Sequence, residues 1–120
     1  MEKIKAGEFV RTKDGYIGKC QKIDVYYGDI LIRTELKRII YDFEVVKHSF
    51  NIIYLIRVGD YVNGCKILDI DFKNEMICLL MPFNEENKSK YNIVWNTKYF
   101  IKSIVTKEQF ERMEYMIKEA

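Results

Sequence analysis

The chain has 120 residues, of which 48% are hydrophobic and 32% are charged, so it can bury a core and is not disordered by composition. Its 20 basic and 18 acidic side chains leave a net charge of only +2, which excludes a strongly basic polyanion-binding protein. Because β-branched and aromatic residues are abundant and alanine is rare, the composition predicts a mostly β chain of one domain or two very small ones.

The first predicted strands follow a glycine–acid pair near the N-terminus. Residues 7–10 (Gly-Glu-Phe-Val) place an aromatic residue and a valine directly after that pair, as at the start of a strand. Asp14-Gly15 is a preferred dipeptide for a type I′ hairpin turn, in which both central residues have positive φ. Apolar and polar residues alternate over residues 17–25, and an apolar stretch follows at 29–32, so a β-meander is predicted.

The same pattern recurs 52 residues later in the chain. Residues 59–62 (Gly-Asp-Tyr-Val) match residues 7–10, and Asn63-Gly64 predicts a second type I′ turn before strands at 65–71 and 76–81. Both copies resemble the opening of small SH3-like barrels, including the KOW type, over roughly 20 residues each. The chain is therefore predicted to be mostly β, with two related SH3-like small β-barrel or meander halves.

The junction between the halves is predicted to be a short central helix. A strand is predicted at residues 41–46, after which Ser49 or Asn51 can cap a helix over residues 51–56. The predicted organisation is an N-terminal β half at residues 1–48, a short helical junction at 49–57 and a C-terminal β half at 58–120 that ends in a helical segment.

A polar loop and two strands are predicted after the second meander. Residues 84–92 form the most polar stretch of the chain, which is typical of a solvated loop. Strand character returns at residues 93–100 around Trp95, for which a core position is expected, and continues at residues 101–105.

The C-terminal segment is predicted to be helical from Lys107. Thr106 and Gln109 have the spacing of a capping box, in which each side chain satisfies a backbone N–H group of the first turn. The residues at helical spacing on the apolar side are Phe110, Met113 and Ile117. The alternative is a single helical turn followed by a last strand over residues 113–117.

Several features of the sequence favour the cytoplasm of a bacterial host cell and no membrane association. No apolar segment follows the charged N-terminus, and the longest apolar run, residues 76–83, is too short to span a bilayer. The cysteines Cys20, Cys65 and Cys78 are odd in number and widely spaced, which favours reduced thiols over a disulfide framework.

Residue patterns typical of enzymes are missing from the sequence. His48 is the only histidine, so a nucleophilic pair would need it beside one of the cysteines. Asp69 and Asp71, with Glu75, are the acidic cluster that a divalent cation would use, although a solvated strand face is the usual meaning of such a pattern. We therefore predict no enzymatic activity, no catalytic residue, no metal and no cofactor.

Candidate contact residues are concentrated in the first forty residues, which carry nine basic and six acidic side chains. Basic groups around an aromatic ring can hold phosphates and stack a base, whereas exposed tyrosines favour contacts with proteins. The candidate partner-binding residues are Arg11, Lys13, Tyr16, Lys19, Lys22, Tyr26, Tyr27, Lys37 and Arg38. The aromatic residues between Tyr91 and Tyr99 are further candidates.

Three segments carry a second resemblance. They are residues 7–13 (Gly-Glu-Phe-Val-Arg-Thr-Lys), residues 46–64, which include Lys-His-Ser-x-Asn-Ile-Ile and Val-Gly-Asp-Tyr-Val-Asn-Gly, and residues 101–111, which include Thr-Lys-Glu-Gln-Phe-Glu. Together they resemble a group of small accessory proteins encoded by phages and prophages of low-GC Gram-positive bacteria. Because such proteins often act by binding, the resemblance implies a binding protein that blocks host immunity, for example a CRISPR effector.

The predicted function is therefore non-enzymatic. We expect a phage accessory protein that binds a host or phage protein and inhibits a host defence system, as anti-CRISPR proteins do. The alternative is a nucleic-acid-binding SH3-like or KOW-like module that uses the basic N-terminal face. Exposed strand edges in a mostly β chain also allow a homodimer.

Overall fold

Two antiparallel sheets, each of five strands, make up most of the computed structural model, which describes residues 3–81 and 92–119. The predicted mostly β class is therefore confirmed. The chain divides into two units, Met1–Leu55 and Ile56–Ala120, and each unit contains one sheet. The boundary lies within the segment for which the sequence predicts a helical junction.

The first sheet belongs to the first unit and has the strand order β4-β3-β2-β1-β5. Its strands are β1 (Phe9–Thr12), β2 (Ile17–Tyr26), β3 (Asp29–Thr34), β4 (Ile39–Tyr41) and β5 (Val45–Ser49). A turn of 3-10 helix at Asp42–Glu44 separates β4 from β5, which corrects the prediction of one strand over residues 41–46. The predicted central helix is a 3-10 turn at Ile52–Tyr54, capped by the Asn51 side chain.

The second sheet has the order β10-β6-β7-β8-β9, which becomes the order of the first sheet, read from its other edge, when five is subtracted from each label. Its strands are β6 (Tyr61–Val62), β7 (Cys65–Asp71), β8 (Met76–Met81), β9 (Asn92–Thr97) and β10 (Ile104–Val105). A 3-10 turn at Lys98–Phe100 precedes the last strand, as in the first unit, and the helix α1 (Lys107–Glu119) follows it. The predicted sequence repeat is thus a repeat of topology.

Of the two forms that the sequence predicts for each half, an SH3-like barrel or a meander, neither sheet forms the closed barrel. Among the described residues, β4 and β5 are the two edges of the first sheet, and β9 and β10 are those of the second. Barrel closure requires pairing between the outer strands, and none of the strand pairs joins them. Each unit is therefore an open meander whose last strand returns to pair beside the first.

The glycine–acid pair of the first unit forms a turn that precedes β1. The Gly7 N–H donates to Cys20 O (2.8 Å), and the Cys20 N–H donates to Glu8 O (2.8 Å), so the turn is joined to β2. The Glu8 carboxylate accepts the Lys5 N–H (2.9 Å) through Oε2, and the same oxygen lies 2.8 Å from His48 Nδ1 on β5. The Glu8 side chain therefore links the entry turn to the last strand of its sheet.

The second unit repeats this turn bond for bond. The Gly59 N–H donates to Ile67 O (3.0 Å), and the Ile67 N–H donates to Asp60 O (2.8 Å). The fully buried Asp60 carboxylate accepts the Arg57 N–H (2.8 Å) through Oδ2 and the Lys107 N–H (2.9 Å) through Oδ1. Gly7 and Gly59 have φ of 94° and 98°, a region that side chains with a Cβ rarely adopt, which is why glycine precedes both acids.

The hairpin turns agree only in part with the predicted turn type. Asn63 and Gly64 have φ of 52° and 80°, so the predicted type I′ turn is confirmed there. Asp14 does not have a positive φ, so the type I′ prediction for Asp14-Gly15 is wrong. A type I′ pattern that the sequence analysis missed occurs at Tyr27 and Gly28, with φ of 50° and 83°, between β2 and β3.

Each unit buries its own apolar residues. In the first unit the core side chains are Ile4, Val10, Cys20, Ile32, Ile40 and Val45. In the second unit the fully buried strand residues are Val62, Ile67, Ile77 and Leu79. Trp95 is 44% exposed on β9, so the expected core position is wrong, because β9 is an edge strand with a neighbour on one side only.

The C-terminal helix is confirmed, and with it the predicted capping box. The Thr106 N–H donates to Gln109 Oε1 (3.0 Å), and the Gln109 N–H donates to Thr106 Oγ1 (3.3 Å). The Phe110 ring stacks on Tyr61 with its centroid 4.5 Å away, which attaches the helix to β6. The strand predicted at residues 101–105 is reduced to β10, and the strand predicted at 93–100 is β9 followed by a 3-10 turn. Of the loop predicted at residues 84–92, residues 84–91 lie outside the described residues and Asn92 begins β9.

Replacing the buried acid of the second turn should destabilise the protein strongly. Asp60→Ala leaves the Arg57 and Lys107 amides without their carboxylate acceptor, so we expect the free energy of unfolding to fall by about 2–4 kcal/mol. Urea denaturation followed by circular dichroism measures this change. Glu111→Ala on the exposed side of α1 is the control and should change stability by less than about 0.5 kcal/mol. Equal effects of the two substitutions would contradict the role given to Asp60.

Candidate functional site

The nine candidate contact residues all lie in the first unit, but one of them is not at the surface. Arg11 is 1% exposed, and its Nη1 donates to the carbonyl oxygen of Leu55 (2.9 Å). On β1, Phe9 and Arg11 share the face opposite the buried Val10, and the segment that ends at Leu55 covers that face at Arg11. The placement of Arg11 on a basic binding face is therefore corrected: it is a structural residue of the first unit.

Two further candidates, Tyr16 and Arg38, contact each other. The Arg38 guanidinium lies 4.2 Å from the centroid of the Tyr16 ring, and its Nη2 is 3.1 Å from Asp14 Oδ2. The Tyr16 hydroxyl is hydrogen-bonded to Thr34 Oγ1 (2.8 Å). One face of the ring and the charge of the arginine are therefore engaged within the unit, which leaves less of either for a nucleic acid.

The Asp14 carboxylate is held in its charged form at this place. A hydrogen bond from the Thr12 hydroxyl lowers the pKa of Asp14 below its ordinary value, and the Arg38 guanidinium adds to the effect. A shallow cleft of about 310 Å³ adjoins this group. Its lining residues are Thr12, Lys13, Asp14, Arg38, Phe43 and Glu44. The cleft combines two basic and two acidic side chains, so it has no strong preference for an anion or a cation.

The remaining basic candidates are exposed but dispersed. Lys22 Nζ lies 3.5 Å from Asp24 Oδ1, and the Arg33 Nε–H donates to Asp24 Oδ2 (2.9 Å), so one acid faces two cations. Lys19 Nζ is 5.8 Å from the centroid of the Phe9 ring. Of the candidate lysines, Lys13, Lys19 and Lys37 are exposed and form no ion pair with an acidic side chain of the described residues. The structure thus supplies scattered lysines where the sequence predicts a basic face around Tyr16.

The end of the β2–β3 hairpin is the most exposed apolar feature of the first unit. β2 pairs with β1 only through residues 17–19, and β3 pairs with β4 only through residues 31–33. The pairs Val25↔Ile30 and Tyr26↔Asp29 therefore extend beyond both neighbouring strands. We call residues 24–30, which contain these two pairs and the turn between them, the hairpin tip.

Aromatic side chains cover the hairpin tip. Tyr27 is 90% exposed and Tyr26 is 62% exposed, and their rings meet edge to face with centroids 4.4 Å apart. Val25, which the sequence analysis did not select, is 74% exposed beside them. The signal that could have revealed the tip is the length of β2: at ten residues it is far longer than its neighbour β1, so its far end cannot be paired on that side.

The groups considered for catalysis or metal binding have structural contacts instead. Cys20 and Cys78 are buried, and burial raises the pKa of both thiols, which keeps them protonated. Asp71 accepts the Asn74 side-chain N–H (2.8 Å), and Glu75 Oε2 lies 2.8 Å from Lys98 Nζ. Among residues 3–81 and 92–119, no group of three or more histidine, cysteine or acidic side chains is arranged to hold a metal ion.

Comparisons of the chain with protein-family models, with curated proteins and with solved structures find no match. Within the described ranges, no helix has the length and apolar character needed to cross a membrane.

The structural assignment of Arg11 predicts a loss of stability that a surface lysine would not cause. Arg11→Met removes the hydrogen bond to Leu55 O and leaves that carbonyl without this donor, so we expect a loss of about 2–3 kcal/mol. Lys13→Met is the control. It replaces an exposed basic residue two positions later and should change stability by less than about 0.5 kcal/mol. Thermal or urea unfolding of the two variants measures the difference, and an Arg11→Met variant as stable as the parent protein would refute the assignment.

Proposed function

We propose that this protein is a non-enzymatic binding protein that acts in the cytoplasm of a bacterial host cell and engages a protein partner through the hairpin tip. The observation that carries the proposal is the exposed pair Tyr26 and Tyr27 on a two-stranded extension, beside which no strand of residues 3–81 or 92–119 pairs. Tyrosine side chains supply large contact areas at low entropic cost and are enriched among the residues that dominate binding energy.

The charges around the hairpin tip support a protein partner over a nucleic acid. Asp29 pairs with Tyr26 across the tip, and Asp24 lies at the start of the tip, opposite Leu31. Carboxylates at this position repel phosphates, while the nearest cation on β2, Lys22, already faces Asp24. The nucleic-acid alternative now depends on dispersed lysines and has less support than the protein-binding one.

The concrete form of the proposal is inhibition of a bacterial defence nuclease. It rests on the resemblance of residues 7–13, 46–64 and 101–111 to small phage and prophage accessory proteins, since such proteins often act by binding. An inhibitor of this kind needs no catalytic group of its own, since covering a nuclease surface is enough to block it. The hairpin tip is the surface that would make this contact.

A plaque assay tests this function directly. The protein is expressed in a low-GC Gram-positive bacterium whose CRISPR effector targets the infecting phage, and plating should be restored. The double variant Tyr26→Ala, Tyr27→Ala should no longer restore plating, because the loss of two dominant interface side chains weakens binding by more than about tenfold. Leu36→Ala, a change at a 74% exposed apolar side chain of the first unit outside the hairpin tip, should still restore plating.

The contrary outcomes of this assay are distinct. Restoration by the double tyrosine variant at the parent level would refute the role of the hairpin tip, and no restoration against any effector tried would refute the inhibitor function. If restoration is lost instead on the paired change Lys13→Glu and Lys19→Glu, and the parent protein shifts labelled DNA or RNA at low salt, the nucleic-acid alternative replaces the proposal.

A further inference from the structure

The free edge of the second sheet, which β9 forms, has no part in the proposed function. β9 pairs with β8 along its whole length, and no other strand of the described residues pairs with it. The strand (Asn-Ile-Val-Trp-Asn-Thr) contains no charged residue and no proline. Proteins commonly protect such edges with charges, prolines, bulges or short strands, because the unpaired backbone groups are a template for another strand.

The outer face beside this edge is apolar on two adjacent strands. Trp95 is opposite Cys78, and Ile93 is opposite Leu80, so the four side chains share one face of the sheet. Ile93 is 51% exposed, Trp95 44% and Leu80 39%, whereas Cys78 is buried between its neighbours. A strand added next to β9 would therefore complete the hydrogen-bonding edge and cover exposed apolar area at the same time.

The repeat provides an internal comparison, since β4 occupies the same edge in the first sheet. β4 has three residues against six in β9. Charged residues enclose β4, with Lys37 and Arg38 shortly before it and Asp42 directly after it. Arg33 lies opposite Ile39 on the neighbouring strand. The edge of the first sheet thus has the protection that the same edge of the second sheet lacks.

We propose that β9 is a self-association edge, at which the β9 strand of a second copy of this chain pairs antiparallel about a two-fold axis through Val94. This register sets Ile93 of one copy opposite Trp95 of the other, and the same pair forms again on the other side of the axis. Pairs of an aromatic and a β-branched side chain stabilise antiparallel sheets. The second sheets of the two copies, each of five strands, then form one continuous sheet.

A second copy is favoured over a foreign peptide because the strand is compatible with itself. A charge at the central residue of the strand would face its own copy across a two-fold axis, whereas β9 has valine at that position and places Asn92 opposite Asn96 on either side of the central pairs. The strand also offers no charge that would select a partner of opposite sign. Self-pairing therefore satisfies its backbone groups without any further recognition element.

Two charge variants and their mixture test the proposed register. Ile93→Lys and Trp95→Glu should each abolish the dimer, since each places two charges against apolar side chains in the pairing. Mixed together, they should form a heterodimer, because the introduced lysine then lies opposite the introduced glutamate while the native tryptophan lies opposite the native isoleucine. Ile39→Lys on β4, at a residue 53% exposed, is the matched control and should remain dimeric.

Light scattering after size-exclusion chromatography gives the mass of each sample. We expect twice the chain mass of 14.4 kDa for the parent protein, for Ile39→Lys and for the mixture, and 14.4 kDa for each β9 variant alone. A monomeric parent protein at all soluble concentrations would overturn the proposal. Single β9 variants that stay dimeric, or a folded mixture that stays monomeric, would also overturn it.

The single tryptophan allows a second measurement without any substitution, which covers the case in which a β9 variant fails to fold. Trp95 is the only tryptophan of the chain, so its fluorescence reports on this edge alone. Dimer formation through β9 should bury the indole, and the emission maximum of the parent protein should shift to the red on dilution. An emission maximum that stays constant while the measured mass falls from dimer to monomer would place the dimer contact elsewhere.

Discussion

Both units of this protein depend on the same interaction, a hydrogen bond in which an acidic side chain accepts the backbone N–H group three residues earlier in the chain. Glu8 and Asp60 make this bond to Lys5 and Arg57, and the glycine before each acid provides the positive φ that the turn requires. The same acids are bound to β2 and β7 through their backbone groups and reach His48 and the start of α1 through their side chains. Each acid therefore holds three parts of its unit together, and the cost of burying it is offset by the hydrogen bonds it accepts.

The parts of the fold that the sequence predicts correctly are those encoded by local chemistry. The recurrence of a glycine–acid pair predicts two related meanders, Asn63-Gly64 predicts its type I′ turn, and Thr106 with Gln109 predicts the start of the helix. Each of these features needs only residues that are neighbours in the chain. β8 also begins where the apolar run begins, because the polar residues Lys73, Asn74 and Glu75 precede both.

The incorrect predictions concern contacts between residues far apart in the chain. Arg11 follows the alternation of an exposed strand residue, but its side chain is buried and donates to the carbonyl oxygen of Leu55, 44 residues later. Trp95 has the surroundings of a core residue in the sequence, but the order of strands places β9 at an edge. Barrel closure and the free end of the β2–β3 hairpin likewise depend on which strands pair and over what length. The predicted basic face is larger than the observed one for the same reason, since Asp14 and Asp24 reach Arg38 and Arg33 only in the folded sheet.

Exchange of individual backbone amides, followed by nuclear magnetic resonance, tests the central role of the glycine–acid turns most directly. Lys5 and Arg57 lie outside the strands, where amides ordinarily exchange fast, yet each donates to a carboxylate, at 2.9 Å and 2.8 Å respectively. The account predicts that both amides are protected as strongly as those of Cys20 and Ile67, which lie within β2 and β7 and donate to the same turns. Exchange of the Lys5 and Arg57 amides at the rate of open loops, with the strand amides still protected, would contradict it.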